Sequence, residues 1–226
     1  MHAVSTFSIC AVDPRTRILG AAVASRYLAV GALVPHLAVD AGVILTQSIA
    51  NPRFGPAGLG FLADGMAPAL VIERLLENDA ERAIRQIGVL RFDGNSATFS
   101  GPDCIPVVAD ATVPGVVATG NTLASEAVPA AMVAAYQVSR DADAANTAAD
   151  SKDAAIRMAT ALIAALRAGE AAGGDKRGKQ AAAVIVKGPG AGYGGNGDTA
   201  VDLRVDDHRD PVSELARIFA LFTELR

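Results

Sequence analysis

A hydroxyl residue heads the first strand-like segment of this chain. Thr6 opens the run Thr6-Phe7-Ser8-Ile9-Cys10-Ala11-Val12-Asp13, behind Met1 to Ser5. A hydroxyl is a weak nucleophile and needs a base. Removal of the five leading residues would give Thr6 a free α-amine, which titrates near pH ~7.7–8.0 and can serve as that base within one residue. Cleavage one residue earlier would make Ser5 the nucleophile instead. Packing alone also accounts for a β-branched residue at the start of a strand.

Other polar groups sit at strand ends and turns. Arg26 follows Ser25 at the end of the second strand. Its permanently charged guanidinium can lower an amine pKa or hold a carboxylate, or it can form a surface salt bridge. Gln47 and Asn51, with Thr46 and Ser48, follow a strand and offer amide donors to a substrate. Gly120-Asn121 precedes a helix, so a backbone N–H and the carboxamide could form an oxyanion hole. Asn121 could equally be a turn residue or helix cap. Asp175 and Arg177 lie in a glycine-bounded turn that either binds substrate or closes on itself as an ion pair. The reading is therefore Thr6, Asn121 and Arg26 as catalytic, and Gln47, Asn51, Asp175 and Arg177 as substrate-binding. No cofactor is expected.

Several chemistries lack their residues. The histidines are His2, His36 and His208, without metal-ligand spacing. Asp206-Asp207-His208 is a weak cation candidate without the EF-hand spacing, and no metal is assigned. The stretch from Gly188 to Gly197 lacks the Lys-Ser/Thr ending of a phosphate loop. Cys10 and Cys104 sit in apolar contexts and read as buried thiols. A net charge of −4 argues against nucleic acid and an anionic membrane surface. No secretory or membrane-spanning segment is read, so a cytoplasmic protein is expected.

Positioning these residues falls to hairpins and helices. Thr6–Val12 and Ile18–Ser25 read as a hairpin around Asp13-Pro14-Arg15-Thr16. Val34–Val39 and Val43–Ser48 form a second strand pair. Helical spacing follows over Pro56–Asn78, broken near Gly65 and Pro68, and Asp79 is expected to cap a helix over Ala80–Arg85. Val89–Phe92 and Ala97–Ser100 flank an Asp-Gly turn. Ile105–Ala109 and Val113–Thr119 are expected strands, Ser125–Ser139 and Ser151–Ala168 helices. Arg140–Asp150 joins those two helices. Gln180–Val186 and Val201–Val205 are strands, and Pro211–Leu225 closes with a helix capped by Asp210. Strands and helices do not alternate regularly, so α+β with antiparallel sheets and segregated helices is expected, as one domain over residues 1–226.

The ordered set Thr6-Phe7-Ser8-Ile9, Gly20 to Arg26, Ala29-Val30-Gly31 with Val34-Pro35, Thr46-Gln47, Gly120-Asn121, Ala172 to Asp175 with Arg177-Gly178 and Gln180, and Asp202 to His208 resembles the domain-of-unknown-function family ten-twenty-eight. That family is placed among the N-terminal-nucleophile (Ntn) hydrolases. The resemblance implies a four-layer αββα sandwich of two stacked antiparallel sheets. It also implies an amidohydrolase acting on peptide-like or lactam amides of a small molecule, with Thr6 exposed by processing. In similar proteins this Thr commonly follows the initiator Met directly, whereas here five residues precede it. The alternative is a non-catalytic binding or scaffold protein on the same fold. A homodimer is expected, with no nucleic-acid or membrane partner.

Overall fold

The computed structural model describes residues 6–142 and 151–225. Met1 to Ser5, including the candidate Ser5, and most of the expected connection Arg140–Asp150 lie outside them. Among the described residues, ten strands form two antiparallel sheets, and five α-helices pack against them.

The first hairpin is β1 (Thr6–Asp13) and β2 (Ile18–Ser25), in a register that puts Thr6 opposite Ser25 and Asp13 opposite Ile18. Its turn closes as the side chain of Asp13 dictates, with the Arg15 N–H donating to Asp13 Oδ1 at 3.0 Å. β3 (Pro35–Ala38) and β4 (Gly42–Ser48) pair next, followed by β5 (Arg85–Arg91) and β6 (Ser96–Ser100). β7 (Ala109–Val113) and β8 (Val116–Gly120) precede the long helices, and β9 (Ala181–Lys187) and β10 (Thr199–Val205) follow them. The six-stranded sheet runs β10-β9-β2-β1-β8-β7, and the four-stranded sheet runs β3-β4-β5-β6.

Three apolar clusters tie the elements together. Helices α3 (Ala127–Ala142), α4 (Ser151–Ala171) and α5 (Pro211–Glu224) cover one face of the six-stranded sheet, burying Phe7, Ile9 and Ala11 against Met132, Leu162 and Leu166. The opposite face, with Cys10, Val12 and Val23, meets Val43, Leu45 and Leu90 of the smaller sheet. The far side of that sheet buries Ile44, Ile87 and Val89 under α1 (Phe54–Ala63) and α2 (Pro68–Leu76). β1 therefore has no wet face, which explains a strand that is apolar at nearly every position. Gly20 admits α4 closely, since a Cβ there would lie 2.7 Å from Leu162 Cδ1.

Three expected elements differ, one of them Val113–Thr119, which the turn at Pro114-Gly115 divides between the paired strands β7 and β8. Ala80–Arg85 is not an α-helix. A 3₁₀ turn at Arg82–Ile84 leads directly into β5. The cause is Arg85, a buried guanidinium that draws Asp79 onto its Nε at 2.7 Å and Glu81 onto its Nη2 at 2.6 Å. The Arg85 cation accordingly holds the Asp79 carboxyl below its usual range. Ile105–Ala109 is not a strand either. Pro106 has no N–H for a ladder, and the strand starts only at Ala109. Helix α5 starts at the expected place, but the Asp210 carboxylate takes Lys179 Nζ at 3.2 Å instead of capping backbone N–H groups.

His36 on β3 packs against Gly55 of α1, and its Nε2 lies 3.2 Å from the Leu33 carbonyl oxygen. Burial lowers its pKa from the ordinary 6.5. The unfolded chain therefore takes up a proton before the folded one does, so this group's contribution is full above pH ~6.5 and is lost as pH falls below it. Urea midpoints at neutral and mildly acidic pH should show a drop on acidification. That drop should be smaller in His36→Gln.

Candidate functional site

Period-two alternation puts Thr6, Ser8, Cys10 and Val12 on the face of β1 that meets the smaller sheet. Going toward the Thr6 end, the apolar layer between the sheets turns polar on four strands at once. Gln47 follows Leu45 on β4, Gln86 stands two before Gly88 on β5, and Thr119 stands two after Val117 on β8. All of these, with Thr6 and Ser8, are fully buried.

Their hydrogen bonds form one connected network. Ser8 Oγ donates to Gln47 Oε1 at 2.6 Å. With its proton so engaged, it accepts from Thr119 Oγ1 at 3.2 Å. Gln47 Nε2 donates to Gln86 Oε1 at 2.7 Å, and Asn121 Nδ2 donates to the same oxygen at 3.0 Å. Gln86 Nε2 donates to the Gly120 carbonyl and to Ser100 Oγ, each at 3.0 Å. Gln86 thus fixes the carboxamides of Gln47 and Asn121 together.

The Thr6 end is closed by two further segments. Asn121, just beyond β8, donates its backbone N–H to the Thr6 carbonyl at 3.0 Å. The loop after α4 starts with a Schellman-type ending, Gly174 N–H to Gly169 O and Gly173 N–H to Glu170 O, with positive φ at both glycines. That turn delivers Asp175 into the protein. Its Oδ2 accepts the Arg26 backbone N–H at 3.0 Å and Arg177 Nη2 at 2.7 Å, and its Oδ1 accepts the Arg177 backbone N–H at 2.9 Å. Lys176 N–H donates to Thr122 O and Gln180 N–H to Ser25 O, both at 3.0 Å. One loop therefore clamps the end of β2 to the segment beyond β8.

The fold brings Thr6, Arg26, Asn121, Asp175 and Arg177 to one place. Gln47 joins them through Gln86. Asn51 does not join this network: its backbone N–H goes to Thr46 Oγ1 at 3.2 Å and its Oδ1 takes the Arg53 N–H at 3.2 Å, so its amide shapes the turn into α1. The expected oxyanion hole changes too. The Asn121 backbone N–H is held by the Thr6 carbonyl and its Nδ2 by Gln86 Oε1. Asn121 does not cap α3, because Ser125 Oγ takes the Ala127 N–H at 3.1 Å. Asp175 and Arg177 form the internal ion pair.

Sequence reasoning missed Ser8, Gln86, Thr119 and Lys176. A polar residue at the inward position of each inner strand was the available signal, but the four strands meet only in the folded protein. Ser48 (φ 69°) and Thr122 (φ 53°) directly follow Gln47 and Asn121 in the left-handed region. For a β-branched residue this is a strained conformation that needs surrounding support.

Other candidates fall elsewhere. Cys10 and Cys104 are buried thiols whose pKa values burial pushes up. The 188–197 loop joins β9 to β10 at the end away from Thr6, where Lys187 pairs with Leu19. Asp207 accepts from Gln180 Nε2 at 3.2 Å and His208 Nδ1 from the Asp210 N–H at 3.0 Å. Among the described residues no three His, Cys, Asp or Glu side chains are grouped to hold a metal, and no helix is long and apolar enough to cross a membrane. A cavity of about 850 Å³, lined in part by Asp13, Arg15, Tyr136 and Arg157, opens at the opposite end of β1 and touches none of the candidate residues.

Residues 6–215 match the family of unknown function DUF1028. The chain belongs to this family. Among solved structures it is similar to a DUF1028 protein from Silicibacter pomeroyi, at 30% identity and a TM-score of 0.81, over 97% of this chain and 86% of that one. No curated protein matches it. The family match opens at Thr6 and so takes in Thr6, Arg26, Gln47, Asn51, Asn121, Asp175 and Arg177, but not Ser5.

Replacing Gln86 by Leu keeps the volume but leaves Gln47 Nε2, Asn121 Nδ2 and Gly120 O without their partner. Urea unfolding of Gln86→Leu should show a loss of about 1–3 kcal/mol. Unchanged stability would contradict the network.

Proposed function

We propose that this chain is an Ntn-type amidohydrolase on an αββα sandwich, with Thr6 as nucleophile once residues 1–5 are removed. The observation that carries the reading is the place of Thr6. It heads an inner strand, on the inward face, at the polar end of the layer between the sheets. The start of the family match at the same residue supports it.

The chemistry follows from that place. The freed α-amine, with a pKa near ~7.7–8.0, takes the proton of Thr6 Oγ as the oxygen attacks an amide carbonyl carbon. The Asn121 carboxamide donates to the oxyanion, and the Gln86 network holds that carboxamide in position. The C–N bond then breaks, and the leaving amine takes the proton from the Thr6 ammonium. Water, deprotonated by the same amine, attacks the acyl ester and releases the acid. Arg26 beside the amine favours its neutral form, because a nearby cation opposes a second positive charge.

Full burial of Thr6 favours a second reading, a non-catalytic binding protein on this fold. The intact mass of untagged protein, measured beside an amide and lactam panel, separates the two. The amidohydrolase should lose Met1 to Ser5, and Thr6→Ala should lower turnover on the order of 10³-fold or more with unchanged melting. Its activity should fall as pH drops through the amine pKa. A mass retaining residues 1–5 with activity intact would sink the Thr6 mechanism.

A further inference from the structure

Two cations stand beside Thr6 with backbone carbonyl oxygens as their hydrogen-bond acceptors. Arg26 Nη1 donates to the Arg177 carbonyl, and Lys176 Nζ donates to the Pro106 carbonyl. Both side chains are exposed. Of the neighbouring carboxylates, Asp175 pairs with Arg177, Glu170 and Asp210 pair with Lys179, and Asp207 accepts from Gln180 Nε2. Among the described residues neither Arg26 nor Lys176 has an ion-pair partner.

Register places both next to the reacting end. Arg26 follows Ser25, which pairs directly with Thr6. The Lys176 N–H is bonded to Thr122 O, one residue beyond the Asn121 whose N–H holds Thr6 O. One cation therefore flanks Thr6 from the β2 side and the other from the β8 side. Both belong to a single turn, since the carbonyl that seats Arg26 belongs to the residue after Lys176. A guanidinium bonded to one carbonyl keeps further N–H donors, and the ammonium keeps two more. A cation without an ion-pair partner gains charge-assisted hydrogen bonds from a bound anion.

We infer that Arg26 and Lys176 form an anion subsite and that the amide bound at Thr6 carries a carboxylate. The substrate class is an N-acyl amino acid or similar carboxylate-bearing amide. The inference rests on the amidohydrolase reading for what happens to the ligand, but not for whether it binds.

Binding is tested on the full chain at fixed physiological salt, by titrating N-acetylglycine and, separately, its neutral counterpart N-acetylglycinamide while recording amide NMR spectra. The acid should shift the signals of residues 26 and 175–178 saturably, and the neutral amide should not. Arg26→Met and Lys176→Met, each checked for unchanged melting, should each weaken binding of the acid by about 10-fold, the factor that 1.4 kcal/mol represents. Equal binding of acid and neutral amide, or undiminished binding in both variants, would overturn the inference. Turnover of matched acid and neutral amides by protein whose mass lacks residues 1–5 separates the two readings. Selective binding without any hydrolysis keeps the subsite and rejects the amidohydrolase. Hydrolysis without preference for the acid keeps the amidohydrolase and rejects the subsite.

Discussion

Two stacked sheets, each covered on its other face by helices, leave the inner strands without a wet side. β1 meets helices with Phe7, Ile9 and Ala11 and meets the smaller sheet with Ser8, Cys10 and Val12. A polar group on such a strand costs about 1–3 kcal/mol if it lacks a partner. The polar end of the layer is therefore one connected network. Gln86 lies at its centre because it accepts two hydrogen bonds through one oxygen and donates two through one nitrogen. The same constraint that demands satisfaction also fixes the side chains, which is what a site built on differential charge stabilisation needs.

The second constraint is a carboxylate taken out of water. The Asp175 side chain is 1% exposed, while its partner Arg177 keeps 31%. A buried charge needs pairing and further hydrogen bonds, and Asp175 obtains two backbone N–H groups as well as the guanidinium. In doing so it pulls the end of β2 and the loop after α4 onto the segment beyond β8. The left-handed Ser48 and Thr122 are held at the edges of this packed region, where surrounding contacts can support the strain. The clamp uses the backbone N–H groups of Arg26 and Lys176, while among the described residues their side-chain charges have no ion-pair partner.

Much of the scaffold was legible because its causes are local. The Asp13-Pro14 turn, the Asp93-Gly94 hairpin, the break between α1 and α2 and the start of α5 at Pro211 all follow from residues within a few positions. The errors arose where a distant partner decided. Ala80–Arg85 has a fair helical look, but Arg85 belongs to a strand and recruits Asp79 and Glu81 to its buried charge. Asn121 reads equally as a cap and a donor from its neighbours, and what holds its carboxamide in the fold is Gln86, 35 residues away.

The sequence by itself determined the hairpins, the helix periodicity, the strand at whose head Thr6 stands and the family resemblance, because turn chemistry and hydrophobic period act over short spans. It also marked Thr6, Arg26, Asn121, Asp175 and Arg177 as polar residues at element ends. Only the tertiary structure decided that these five share one place, that Gln47 is wired into it and Asn51 is not, and that Asp175 is a clamp rather than a free ligand. The physical reason is that burial and hydrogen-bond satisfaction belong to the assembled layers. Ser8, Gln86 and Thr119 are unexceptional on their own strands and become a network only when four strands stack at the same end.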